Sequence, residues 1–247
     1  MTRRELVGAI VRGSLFTVLT DFSTFFEGGN VMAQESQKTG GSAGQFPLAY
    51  RGENQVKALP FNPDKLKGLS EKLIVSHHQN NYTGAVNRLN QIQRQLGTIQ
   101  KDAPPYQMGS LKREEIIATN SMILHEVYFA NLGGDGKASG TIASLINASY
   151  GSVTAWEQDF RLTGMSLGGG SGWVILNYNY RDNTVHNYWS GDHAHSLAWG
   201  VPLLVMDMYE HAYAIDYGAN ARGYIDAFFQ NISWDDVNRR AETTKSS

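Results

Sequence analysis

The sequence predicts an α+β fold: a long N-terminal α-hairpin, then a C-terminal domain with a small three-stranded antiparallel sheet flanked by helices. Three observations carry this. Helical periodicity without strand signals runs from Ser70 to Leu132. Glycine-rich breaks at 133–136 and 168–172 then interrupt the chain. Only beyond the second break does a β-branched, aromatic run appear.

The elements follow in order. At 247 residues the chain has the length of one large domain or two small ones. Thr2-Arg3-Arg4 precedes a mildly apolar run from Leu6 to Thr20, broken by Arg12, and Val31-Met32-Ala33 supplies small residues before Gln34. Residues 1–33 therefore read as a twin-arginine export signal, with an amphipathic helix or a frayed tail as the alternative. The run is too short and too polar to span a membrane. The expected location is periplasmic or otherwise exported, with the cytoplasm as the alternative. Residues 34–54 are expected to be a flexible linker, because Gln34–Gly44 is polar and rich in Gly and Ser.

The hairpin domain is expected over 55–134. From Ser70 to about Leu96 the series Leu69, Leu73, His77, Asn81, Ala85 and Leu89 lies along one helix face. Ala103-Pro104-Pro105 breaks the chain, and a second helix from about Lys112 to Leu132 puts Ile117, Ser121, His125 and Tyr128 on a common face. In the C-terminal domain, over 135–247, helices are expected around 140–148 and 152–162. Strands are expected at 173–180 and 184–189, joined by the turn Arg181-Asp182-Asn183, with a buried third strand at Pro202–Met206. Helices return from Tyr209, and Ser233 caps a charged terminal one.

Composition narrows the chemistry. Lys plus Arg is 21 and Asp plus Glu is 23, so the net charge of −2 excludes the broad positive field of a nucleic-acid-wrapping protein. There are seven His and no Cys, so any metal site must be built from imidazole and carboxylate. Asp207 and His211 stand four apart where a strand hands over to a turn, and His77 and His125 lie on apolar helix faces. A buried carboxylate is costly unless it is paired, hydrogen-bonded or metal-bound. Three His and one Asp suit a first-row transition metal. A single His on an apolar face is more often a core residue, and spacing alone leaves both readings open.

Longer motifs go further. Asp207-Met208-Tyr209-Glu210-His211-Ala212-Tyr213 and Asn231-Ile232-Ser233-Trp234-Asp235-Asp236-Val237 resemble the C-terminal signature of the iron/manganese superoxide dismutases. Gly170-Ser171-Gly172-Trp173 resembles that family's G-S-G-W, and Leu59-Pro60-Phe61 its usual start. The resemblance spans about 59–241. It implies His77, His125, Asp207 and His211 as ligands of one Fe or Mn ion per chain, with water or hydroxide as the fifth ligand. His77 takes the first position because Ser76-His77-His78, Val86 and Leu89-Asn90 fit the family frame. The implied reaction converts superoxide to dioxygen and hydrogen peroxide by cycling the metal between two oxidation states.

The departures from the family pattern are as informative. Its gateway His and Tyr positions are Asn81 and Ala85 here, and a third gateway Tyr is Ala214. A remodelled entrance is expected, which Tyr82 either partly refills or merely packs beside. Asp192-His193 resembles the family segment that faces the metal-bound solvent, so His193 is the candidate there and His195 a local surface residue. Ser121, at the alternative site for that group, is too short to reach. His193, Tyr82 and Trp173 are the expected catalytic residues. Tyr209 and Phe129 replace family Trp residues. Glu210 follows the family's cross-subunit Glu and implies a homodimer through Glu210 and His211, and Arg222 is a candidate for a positive funnel rim. No nucleic-acid or membrane partner is expected. The alternative function is a dismutase-like metal-binding protein with weak or no activity.

Overall fold

A computed structural model describes residues 46–245; the expected export signal and the first part of the expected linker lie outside the described residues. Ser70 starts the hairpin. Its side chain accepts a hydrogen bond from Leu73 N–H at 3.1 Å, while its own N–H and hydroxyl donate to the Asp216 carboxylate at 2.7 and 2.6 Å. Helix α1 (Glu71–Ser76) passes through a π-helical turn (His77–Tyr82) into α2 (Thr83–Thr98). Helix α3 (Pro105–Ala130) begins well before the Lys112 start expected from periodicity. Pro105 explains the difference: its fixed φ suits a first helical turn, where the N–H it lacks has no intrahelical partner. Helices α2 and α3 pack against each other as the predicted hairpin.

The second half opens with α4 (Gly140–Tyr150) and α5 (Val153–Met165). Strands β1 (Trp173–Asn179), β2 (Thr184–Ser190) and β3 (Gly200–Asp207) form one antiparallel sheet in the order β2-β1-β3. Gly172 leads into β1 with φ +138°, and a Cβ there would sit 2.2 Å from Ser190 O, so glycine is required before Trp173. Strand β3 is an edge strand by pairing, yet Leu203–Asp207 is fully buried, as its apolar run predicts. Neighbouring groups cover that edge. Asn131 Oδ1 accepts from Val205 N–H at 2.8 Å, and Arg240 Nε–H donates to Leu203 O at 2.9 Å. A 3₁₀ turn (Glu210–Ala212), α6 (Ala214–Tyr217), α7 (Ala221–Gln230) and α8 (Trp234–Lys245) complete the chain.

The core is continuous across the expected boundary at 134/135. Leu73, Tyr128 and Phe129 of the hairpin share one apolar cluster with Trp173, Met206 and Phe228. Each such side chain contributes roughly 1.5–3 kcal/mol on burial, so hairpin and sheet hold one another in place. Among the described residues no helix is long and apolar enough to cross a membrane.

The expected linker departs from its composition over 46–54. Leu48–Tyr50 is a 3₁₀ turn, and Asn54 donates from its backbone and side-chain nitrogens to Asn90 Oδ1, both at 2.8 Å. Asn90 Nδ2 donates back to Asn54 O at 2.9 Å, and Arg94 Nη1 donates to Gly52 O at 2.7 Å. Gly52 needs its φ of +60°, because a Cβ there would meet Asn90 O at 2.3 Å. The Gly/Ser-rich signal ends at Gly44; beyond it the chain is a strap whose polar groups pair with α2. Asn90→Ala should leave both Asn54 backbone groups without their partner and cost about 1–3 kcal/mol. Urea unfolding would measure the loss, together with faster proteolysis within 46–58; wild-type behaviour in both would show that solvent replaces the strap's bonds.

Candidate metal centre

Four separate elements deliver one cluster. His77 opens the π-helical turn, His125 sits within α3, Asp207 ends β3, and His211 lies in the following 3₁₀ turn. Register fixes the sheet's contribution: Asp207 pairs with Trp173 across β1 and β3. Tyr209 N–H donates to Asp207 Oδ1 at 2.8 Å. That bond leaves Oδ2 free to face the imidazoles and turns the chain so that His211 comes back beside it.

The donors converge on that oxygen. Asp207 Oδ2 lies 3.1 Å from His77 Nε2, 3.2 Å from His211 Nε2 and 3.7 Å from His125 Nε2. One donor atom from each of the four residues lies within 4.8 Å of all the others. Asp207, His77 and His125 are almost fully buried, whereas the His211 side chain is 26% exposed. His77 Nδ1 and His125 Nε2 are buried without a hydrogen-bond partner, and His77 Nε2 has only the Asp207 carboxylate beside it. Buried polar atoms are rarely left so, and a cation among the converging nitrogens would give them a partner.

Hydrogen bonding sets the His125 tautomer. His125 Nδ1–H donates to Ser121 O at 2.6 Å, so in the neutral ring Nε2 keeps its lone pair. Burial lowers the His125 pKa to about 3, assisted by the His77 imidazole. Burial lowers His77 too, against the opposing pull of Asp207. For Asp207 burial acts in the opposite direction, but the His211 and His77 rings outweigh it and hold the carboxyl well below the usual range. Burial thus favours the neutral imidazoles of His77 and His125 beside an ionised carboxylate, the protonation states metal ligation needs. The donor set fits iron or manganese, which take imidazole and carboxylate together.

The chain is similar to known proteins. The model for iron/manganese superoxide dismutases, C-terminal domain, matches residues 138–240. A superoxide dismutase [Fe] of Cupriavidus metallidurans is 54% identical over 181 residues, covering 73% of this chain and 92% of the relative. The chain belongs to the iron/manganese superoxide dismutase family. A superoxide dismutase [Fe] of Aquifex pyrophilus is 34% identical over 191 residues, 74% of this chain and 88% of its own length. A superoxide dismutase [Mn] 1 of Halobacterium salinarum is 29% identical over 195 residues, covering 77% and 96%.

Around the four donors stands a second tier of side chains. Trp173 Nε1–H donates to His193 Nδ1 at 3.0 Å, so the neutral His193 ring carries its proton on Nε2. The Tyr209 ring stacks on His193 at 4.7 Å and on His211 at 5.2 Å, a column of near-parallel rings. His195 pairs locally with Asp192 at 2.8 Å, away from the donors. An open cleft of about 360 Å³ leads to His125, His193 and His211, and Asn81, Ala85 and Ser121 line it.

Two candidate residues lie outside the walls of that cleft. Tyr82 does not refill that cleft. It follows Asn81 by one residue within the π-helical turn, leaves the rod in a different direction, and turns toward the strap. There its hydroxyl accepts from Lys57 N–H at 2.9 Å and donates to Glu126 Oε1 at 3.1 Å, and burial pushes its pKa up to about 12. With Lys57, His78 and Phe129 it lines a separate cavity of about 150 Å³. Arg222, exposed near the start of α7, is absent from the cleft walls; the cation there is Arg88. Ala214 also lies outside those walls. Sequence reasoning missed Arg88, although it continues the Asn81–Ala85 stripe by a further turn. It missed Asn120 as well, whose Nδ2 donates to His193 O at 2.7 Å; no local pattern marks that contact.

The depressed His pKa values carry a stability signature in the metal-free protein. A buried His125 that titrates near 3 instead of 6.5 stays neutral in the fold while the unfolded chain takes up a proton. Its contribution is present above the unfolded pKa and is lost as pH falls below it. Between pH 7 and pH 5 the metal-free protein should lose about 2 kcal/mol from His125 alone, with His77 acting in the same direction. Urea titrations across that range would measure it, and a flat profile would place charged His in the folded state.

Proposed function

We propose that the protein is a superoxide dismutase that holds one Fe or Mn ion on His77, His125, Asp207 and His211. The convergence of these donors on Asp207 Oδ2, with two imidazole nitrogens lacking any other partner, carries the assignment. When bound, such an ion supplies one-electron chemistry, by which two superoxide ions and two protons yield one dioxygen and one hydrogen peroxide.

The chain's own residues prepare that chemistry. Ser121 O fixes the His125 tautomer, and Tyr209 N–H fixes the carboxylate rotamer. Trp173 holds the His193 proton on Nε2, so His193 is the proton-bearing ring offered to the cleft, and Asn120 anchors its backbone. Tyr209 and Phe129 shield the imidazoles with aromatic carbon. With Asn81 and Ala85 on the cleft wall, no titratable gateway group stands there, and protons enter from solvent along Asn80, Asn81 and Ser121. The same openness favours a second reading, a metal-binding protein with weak dismutation.

Metal analysis with superoxide decay, on protein reconstituted with Fe and with Mn, separates the readings. The dismutase reading expects decay well above that of free metal, and a fully loaded protein without it would end that reading. His125→Ala should lose the metal. Ala85→Tyr should raise turnover by roughly tenfold if a missing proton donor limits the rate, and an unchanged rate would remove that cause.

The proposal includes a homodimer and export. Glu210 is an exposed carboxylate adjoining His211, and in the proposed dimer it accepts from the other copy's His211. Glu210→Ala should then sediment as a monomer where the unaltered protein sediments as a dimer; equal sedimentation would remove Glu210 from that role. Export through residues 1–33 rests on the Arg3-Arg4 pair and the small residues before Gln34. A shortened N-terminus by mass spectrometry, in the periplasmic fraction only, is the expected result.

A further inference from the structure

The cleft is a groove between two helices, and each lines it with one stripe. Along the first helical rod the stripe is Asn81, Gly84 with Ala85, then Arg88; along α3 it is Ile117, Ser121 and His125. Spacings of three and four place these residues above one another on each face. The side chains between Arg88 and the imidazoles are short, so the groove runs unobstructed from the guanidinium to His125, His193 and His211. Arg88 is the only Arg, Lys, Asp or Glu in its walls.

Arg88 is held there. Its Nη2 donates to Glu114 Oε2, and Arg113 Nη1 stands 3.5 Å from the other oxygen of the same carboxylate. Two cations share one anion, so the mouth keeps a net positive charge and Glu114 serves to fix the guanidinium. Seven residues of helix put Arg88 about 10 Å along the axis from Asn81. That is about one Debye length at 0.1 M salt, close enough for its field to reach down the groove. The chain as a whole carries −2, so an anion needs such a local attraction.

We infer that Arg88 recruits the anionic substrate: it draws superoxide to the mouth of the groove, from which the anion passes Ala85 and Asn81 to the imidazoles. Arg88 is a positioning residue that sets the rate of arrival and takes no part in proton or electron transfer. This rests on the dismutase reading above.

Azide, a small anion that binds metal without being dismuted, separates the two. Its association with iron-loaded protein is followed by stopped-flow absorbance at about 10 and 200 mM salt. Arg88→Gln should slow azide association about three- to tenfold at low salt and flatten its salt dependence. Superoxide kcat/KM should fall by the same factor, with iron content and Tm unchanged. Arg88→Lys should restore most of the rate, because charge rather than fork geometry is at work, and Glu114→Gln should raise it. Azide association in Arg88→Gln equal to wild type at both salt concentrations would overturn the inference, whatever the dismutase activity. Absent dismutation with the expected azide pattern would end the dismutase reading and leave Arg88 as the recruiter of anions.

Discussion

One buried carboxylate organises this molecule. Asp207 is fully buried at the end of β3, where an ionised group without compensation would be prohibitively costly. The fold answers by bringing three imidazoles to a single oxygen from three other elements. Each imidazole is in turn constrained by something that would otherwise be a free choice: a backbone carbonyl for His125, a π-helical turn for His77, a 3₁₀ turn for His211. Without a cation, two of those rings keep buried nitrogens that satisfy nothing. The apolar core that joins hairpin and sheet therefore does two jobs. It stabilises the fold, and it holds four polar groups in an arrangement they would not adopt by mutual attraction alone.

The same logic extends outward from Asp207. The strand register that sets Asp207 beside Trp173 also places the indole N–H against His193, so ligand and outer donor are aligned by one set of backbone hydrogen bonds. Tyr209 links the two levels again, through its N–H on the carboxylate and its ring between His193 and His211. A shift of β3 by one residue would turn Asp207 to the opposite face of the sheet and break all three relations together. The buried edge of β3, pinned by Asn131 and Arg240, opposes such a slip.

Much of this was legible in the sequence, and the limits were physical. Helix and strand types followed from periodicity, and the four donors followed from the resemblance carried by the motif around Asp207 and the frame around His77. What local pattern could not show was direction around the helix. Tyr82 and Asn81 are neighbours in sequence, yet one faces the strap and the other the cleft, and a π-helical turn within the rod lies between Ser76 and Thr83. Long-range contacts were equally hidden. The Asn54–Asn90 tether and the Asn120–His193 bond join residues 36 and 73 positions apart, and nothing in either neighbourhood announces its partner. Composition misled at 46–54 because polarity marks residues that avoid the core, whether they are solvated or spent on a neighbour's polar groups.

The cleft shows how one change on a helix face redistributes roles. A gateway made of titratable side chains both narrows the passage and handles protons, so loss of those groups affects access and proton supply at once. In this chain the positions are Asn81 and Ala85, neither of which can exchange a proton near neutral pH. The passage is open enough for solvent to enter, and solvent can carry protons without a dedicated relay. What solvent cannot do is favour an anion over water. A fixed positive charge meets that need, provided it stands at the mouth, where it attracts the anion without trapping it at the reacting centre. A guanidinium one turn above Ala85, held by a carboxylate it shares with a second arginine, meets that condition. The open entrance and the arginine above it are thus two halves of one arrangement, in which access is left to shape and selectivity is left to charge.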